Sequence, residues 1–332
     1  MFSTPLSLPV EVPKMKKISR LIASSLVLIF ALSVSSYGWS DTGHMAVAFV
    51  AYKNLTPQTR DRVDALVRLN PKFNFWSSTI PANTPAAKKR LMLFMIAATW
   101  PDQIKSMTPP YHSDGPSGGN RPPTDGTAAR NIGYSDMAMH KYWHFIDLPF
   151  SPDGTPLQQP SVPNAATQIA AFRSVLASTS PDELKSYDLM WLLHLVGDVH
   201  QPLHCTSRFT HATPNGDDGG NGVKVVDGGN SKTLHSFWDG LLGTSSDPAV
   251  AIAVGQSLAP ASAGPANTLD AGVWINESFA AAQSTTYRPP IGVGAGPFMI
   301  TAAYRNTARA LANRRVALAG ARLANILNNE LK

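Results

Sequence analysis

Residues 189–199 form an almost unbroken apolar run, interrupted by His194, Gly197 and Asp198. Upstream stands Ser180-Pro181-Asp182-Glu183, a capping box with proline in the first turn, and together the two stretches predict one helix. His194 and Asp198, four residues apart, therefore project from one face. Pro202 ends this helix because its ring blocks the preceding turn, and the chain turns so that His204 points back from a different direction.

Helical spacing recurs along the chain. It predicts helices over 45–52, capped by Asp41 or Thr42, then from Thr56-Pro57 through Val67, over 86–98, 164–178 and 268–284, and over 298–331 with arginines on its polar face. Leu234-His235-Ser236-Phe237-Trp238-Asp239 is another helical stretch, and Val223-Lys224-Val225-Val226 reads as a short strand or hairpin arm. Residues 106–136 are rich in Pro, Gly, Ser and Asn without a lasting period, which predicts a surface loop of unusual length. No repeat or interdomain linker interrupts this order. The expected class is all-α: one mainly helical domain over 39–332, with long loops and at most a short hairpin, and its site between helices.

The front end carries a pattern of its own. Lys14, Lys16, Lys17 and Arg20 precede an apolar stretch, 21–34, and Ser36-Tyr37-Gly38 places small residues before a break, the pattern of a secretory signal over 1–38. Met15 is an alternative start, and Trp39 is the expected first residue of the mature chain. The apolar stretch is shorter than a bilayer requires and no later segment qualifies, so the expectation is an exported protein, periplasmic or secreted, with no stable membrane anchor.

Composition adds little beyond this. With 332 residues, 43% hydrophobic and 15% charged, the chain is globular, which excludes a disordered class. Removing 1–38 lowers the formal charge from +6 to +3, so the basic isoelectric point argues only weakly for a nucleic-acid partner. The single cysteine, Cys205, excludes an intramolecular disulfide and reads as a buried filler. A monomer is the expected state.

The candidate chemistry lies in two His-x-x-x-Asp pairs, His194/Asp198 and His235/Asp239. Both fall in apolar helices with tryptophan nearby, where an unpaired carboxylate is costly, and a metal ion removes that cost. Imidazole with carboxylate suits zinc or another divalent ion in a hydrolytic site; hydrogen-bonded core histidines are the alternative. His44, Asp102, His144, His204 and the amino terminus created at Trp39 are further candidates. His112 reads as solvated, His140 and His200 as supporting groups, and His211 carries no expectation.

Taken together, Trp39 with Gly43-His44, Trp100-Pro101-Asp102-Gln103-Ile104-Lys105, Trp143-His144-Phe145, the run from His194 to His204, Asp217-x-Gly219-Gly220-Asn221 and Leu234-His235-x-x-Trp238-Asp239 resemble the zinc-dependent single-strand-specific nucleases, nucleases S-one and P-one. The motifs follow the family's order across about two-thirds of the mature chain. The resemblance implies a mostly helical fold with three zinc ions. One would be held by Asp102, His144, His194 and Asp198, a second by His204, His235 and Asp239, and a third by the amino nitrogen and carbonyl oxygen of Trp39 with His44 and the shared Asp198. It further implies hydrolysis of single-stranded DNA and RNA to 5′-phosphate products and leaves open a 3′-nucleotidase activity. Lys105 would neutralise charge on the phosphate, Asn221 would orient substrate or nucleophile, and Phe145 and Asp147 would stack on and bond a nucleobase.

Two departures from the fungal members stand out. Disulfides are absent, and the loop between Asp102 and His144 is much longer, so that it either overhangs the site or adds a basic surface with Arg121 and Arg130. A zinc phospholipase C, similar in cluster and fold, and a zinc-binding protein without turnover are the rival readings.

Overall fold

The structure is a computed structural model that describes residues 1–2 and 38–331; the expected export signal lies almost wholly outside them. Helix α1 (Asp41–Asn54) is buried along nearly its whole length, from Thr42 to Phe49 and again at Ala51 and Tyr52. Its cap position is Ser40, without a side-chain cap, rather than Asp41 or Thr42, because those two already lie inside the helix and Thr42 is turned to the carbonyl of Ser245. Helix α2 (Pro57–Val67) starts as expected, with Thr56 accepting from the Thr59 amide. Helices α3 (Phe73–Thr79), α4 (Ala86–Ala97) and α5 (Trp100–Gln103) follow, the last running into a 3-10 turn, Ile104–Ser106.

Strand β1 (Pro149–Phe150) precedes α6 (Ala165–Ala177), whose capping box pairs Asn164 with Thr167. The central helix α7 (Asp182–Asp198) is continuously buried from Ser186 to Asp198, which explains its all-round apolar sequence. Its expected capping box does not form. Pro181 takes the cap position, and the Ser180 hydroxyl is engaged by Ser178 instead.

Strand β2 (Ser207–Arg208) pairs in parallel with β1. Strands β3 (Lys224–Asp227) and β4 (Asn230–Thr233) form the expected hairpin, and β5 (Phe298–Met299) adds to β3 in parallel. These two-residue additions are too short to leave an alternating sequence pattern. Helices α8 (Leu234–Asp239), α9 (Pro248–Ser257), α10 (Ala263–Ala266), α11 (Ala271–Ala281) and α12 (Ala302–Glu330) complete the chain. The fold is mainly helical. Among the described residues no helix is long and apolar enough to cross a membrane.

Packing converges on α7. Helix α12 lies on α1, α6 lies on α7, and all seven tryptophans are buried. Trp191 of α7 meets Trp143 at 4.9 Å, Trp100 at 6.1 Å and Phe172 at 6.4 Å between ring centroids, so the segments carrying Asp102 and His144 are clamped to the helix carrying His194. On its other side, the turn after α7 is tied to α11 and α12. His200 Nδ1 donates to the Val196 carbonyl and His200 Nε2 accepts from Arg322, while Arg315 donates to the His200 carbonyl. Burial, then the two guanidiniums, hold His200 well below its ordinary pKa and therefore neutral. It is a supporting group.

Residues 106–136 are a surface segment, as expected, yet they are bonded along their length. Asp114 accepts from the Tyr142 hydroxyl at 2.6 Å and the His140 amide at 2.8 Å, the Ala128 carbonyl accepts from Trp143 Nε1 at 3.0 Å, and Asn131 donates to buried Asp188 at 2.9 Å.

Candidate metal centre

Asp198, at the end of α7, is the hub of a buried cluster. Its Oδ2 lies 3.1 Å from His144 Nδ1 and 3.3 Å from His194 Nε2, and its Oδ1 lies 3.4 Å from His44 Nε2. Three groups bring ligand atoms within 4.8 Å of one another: His44, His194 and Asp198; Asp102, His144 and His194; and His204, His235 and Asp239. Every one of these side chains is buried.

Backbone carbonyls set the ring orientations. His194 Nδ1 donates to Ala98 O at 2.8 Å, His204 Nδ1 to His144 O at 2.7 Å, and His235 Nδ1 to Gly219 O at 2.8 Å. Each bond leaves Nε2 to face the cluster as an acceptor, the arrangement that orients metal-bound imidazoles. The facing pairs are close: His194 Nε2 to His144 Nδ1 is 3.0 Å, and His204 Nε2 to His235 Nε2 is 3.1 Å. Gln201 fixes the remaining carboxylate by donating to Asp239 Oδ1 at 2.8 Å.

Metal ions suit this arrangement for two reasons. Both nitrogens of His44 and Asp198 Oδ1 are buried without a hydrogen-bond partner, a costly state for polar atoms unless a cation satisfies them. The electrostatics also leave room for one. Burial, followed by the neighbouring carboxylates Asp102 and Asp198, pushes Asp239 well above the usual range, while burial pushes His144 down to about 3 and keeps it a neutral ligand. Oxygen and imidazole nitrogen donors in these groups match zinc.

Close approach explains two glycines. A Cβ on Gly197 would sit 2.9 Å from His44 Nδ1, and Gly38 lies so near that a Cβ there would overlap Asp198 Oδ1 and fall 2.8 Å from His44 Nε2. The backbone immediately before Trp39 thus enters the His44/Asp198 group, and the Trp39 indole is fixed by donating to Gly197 O at 3.1 Å.

Lys105 Nζ donates to Asp102 Oδ1 at 2.7 Å with its side chain 2% exposed, so its charge is directed at the cluster rather than at solvent. A cavity of about 260 Å³ opens beside His235. Phe145, Asp147, Asn221, Asp218 and Arg121 line it. Asp147 is pushed up to about 7 by burial and by the nearby carboxylates Asp218 and Asp217, against the pull of Arg121. Asn221 donates to the Asp218 carbonyl at 2.9 Å, which holds the turn, and Asp217 anchors that turn by accepting from the amides of Arg208 and Gly220 and from the Tyr287 hydroxyl.

The family model for the S1/P1 nucleases matches residues 39–332. The chain belongs to the S1/P1 nuclease family. A curated relative, Nuclease S1 of Aspergillus oryzae, is 24% identical over 216 residues, covering 63% of this chain. The match spans 56% of that relative's own length.

Within this S1/P1 nuclease fold, every side chain expected at the metal centre falls in one of the three groups, with Trp39 beside them. Phe145, Asp147 and Asn221 come together in the adjoining cavity, whereas Lys105 stands on the metal side. His112 is exposed and His211 pairs with Asp153 at the surface. His140 is buried between Asp114 and Asp136 and stacked on Trp143 at 3.6 Å, which makes it a structural group. Sequence reasoning missed Gln201, Asp218 and the carbonyls of Ala98, His144 and Gly219. Gln201 sits inside the His200-Gln201-Pro202 motif, a usable signal; a backbone carbonyl gives none.

Proposed function

We propose that this chain is an exported trinuclear-zinc phosphodiesterase that cleaves single-stranded DNA and RNA to 5′-phosphate products and acts on 3′-nucleotides. The observation that carries the reading is the continuity between the buried histidine–aspartate groups and the cavity lined by Phe145 and Asp147, with His235 belonging to both. Family membership, shared with a relative named a nuclease, supports the same class.

Asp102, His144, His194 and Asp198 would hold one zinc, His204, His235 and Asp239 a second, and Trp39, His44 and Asp198 a third. Zinc bound there supplies an activated water and charge neutralisation at phosphate. The protein does the rest. Lys105 Nζ, fixed by Asp102, directs a positive charge to where phosphate oxygens gain negative charge, and it costs no reorganisation because it is already in place. Phe145 offers a face on which an unpaired base stacks, and Asp147 an acceptor for its edge, so a duplex, whose bases are already stacked and paired, fits poorly. Asn221 completes the cavity wall by holding the turn that carries Asp218.

Export follows from the signal pattern over 1–38, and with it the release of an amino group at Trp39 that can serve as a ligand. A monomer remains our reading. The test is a substrate panel: the zinc-loaded mature chain should cleave a single-stranded oligonucleotide far faster than the matching duplex and leave phosphatidylcholine intact. Hydrolysis of the lipid alone would establish the phospholipase reading, and retained zinc with neither activity the non-catalytic one.

A further inference from the structure

The cavity beside His235 is not built from the helical core alone. One wall comes from the 106–136 segment, through Ser117, Asn120 and Arg121. That wall is fixed in place, since Lys141 Nζ donates to Gly118 O at 2.9 Å and Asp114 holds the backbone and ring of His140. Among the described residues only three non-glycine residues adopt positive φ, and two of them, Ser117 at 56° and Asp218 at 48°, line this cavity. Such backbone is costly, and its concentration here points to a shaped site rather than an incidental cleft.

Its charges are arranged unevenly. Asp147 and Asp218 bring two carboxylates, and Arg121 is the one Lys or Arg among the lining residues. Arg121 is exposed and, among the described residues, has no carboxylate at ion-pair distance, yet its field reaches both Asp147 and Asp218. A ligand carrying a base and a phosphate can place donors of the base edge against the carboxylates, and the guanidinium is the one Lys or Arg side chain in the lining that can meet its phosphate. The planar fork of arginine matches phosphate oxygens in pairs.

We propose that Arg121 binds the 5′-phosphate of the nucleotide whose base occupies the Phe145/Asp147 cavity and thereby selects internal or 5′-phosphorylated nucleotides over those lacking that phosphate. The inference rests on the nuclease reading above. With the 3′-phosphate of that nucleotide at the metal centre beside His235, the 5′-phosphate is the only other backbone charge it must place, and Arg121 is the cation available to it. Arg121 is thus a specificity-determining residue supplied by the long loop.

The test uses the zinc-loaded chain and two ligands without a scissile bond, thymidine 5′-monophosphate and thymidine, titrated by calorimetry. The intact chain should bind the monophosphate about tenfold or more tightly than the nucleoside, as a charge-assisted paired contact provides. Arg121→Ala should lose most of that preference while melting at the same temperature, and Arg121→Lys should recover part of it. With a single-stranded oligonucleotide, Arg121→Ala should raise KM more than it lowers kcat. An equal preference in Arg121→Ala, no preference in the intact chain, or failure of both ligands to bind overturns the proposal. These outcomes are separable from the nuclease reading, which stands or falls on whether the intact chain cuts the oligonucleotide at all.

Discussion

His194 Nε2 lies 3.0 Å from His144 Nδ1, while His194 Nδ1 is committed to the Ala98 carbonyl at 2.8 Å. Two buried nitrogens facing each other at this distance share a proton or a cation, and His44 and His204 also bring ring nitrogens to within 4 Å of Asp198. On the zinc reading, a cation among these facing nitrogens and Asp198 would bind the folded chain alone, and its binding free energy would appear as stability.

Chelation should accordingly lower the melting temperature, and zinc should restore it. Asp198 would serve two of the three ions, its Oδ1 facing His44 and its Oδ2 facing His144 and His194, so Asp198→Ala should reduce bound zinc by more than His235→Ala does. Elemental analysis of purified variants measures this. Equal losses would show that the ions do not share Asp198.

Asp147 gives substrate binding a pH dependence. Burial, with Asp218 and Asp217, raises its carboxyl to about 7, so it changes from donor to acceptor between about pH 6 and 8. A base edge that donates to the carboxylate should bind better above that window. KM for a single-stranded substrate should fall as pH rises through 7 in the intact chain, and this inflection should vanish in Asp147→Asn while kcat keeps its own profile. An unchanged inflection would remove Asp147 from base recognition.

Asp188, on the buried face of α7, sets a second pH effect that concerns stability alone. Burial lifts its pKa from 3.8 to about 7, opposed by the hydrogen bond from Asn131. Because the folded value is raised, its stabilising contribution is complete below 3.8 and is lost as pH rises through 7. At 1.36 kcal/mol for each pH unit between the two values, the loss reaches roughly 4 kcal/mol in alkaline solution. Asp188→Asn, which has no charge to bury, should gain on the intact chain between pH 5 and pH 8.5 in urea unfolding with zinc held saturating. A difference independent of pH would contradict this assignment.

The central helix was legible in the sequence because its buried stretch is almost wholly apolar, so His194 and Asp198 stand out of the run 189–199. The placement of the long loop was left open, between overhanging the site and adding a basic surface. Arg121 lies in a stretch without periodicity, and its place on the cavity wall depends on Asp114, Gly118 and Ala128 finding partners around His140 and Trp143 in the folded chain. The caps expected at Ser180 and at Asp41 or Thr42 do not form because other partners hold those side chains: neighbouring Ser178 engages the Ser180 hydroxyl, and Thr42 turns to the distant Ser245 carbonyl. The paired strands β1 and β2 were invisible because two residues carry no alternation.

The account is tested most directly by digesting a single-stranded oligonucleotide with the mature chain beginning at Trp39, with and without a chelator, and reading the product ends. It predicts cleavage that the chelator abolishes and zinc restores, with 5′-phosphate and 3′-hydroxyl termini. Cleavage indifferent to chelation, or products ending in 3′-phosphates, would contradict it.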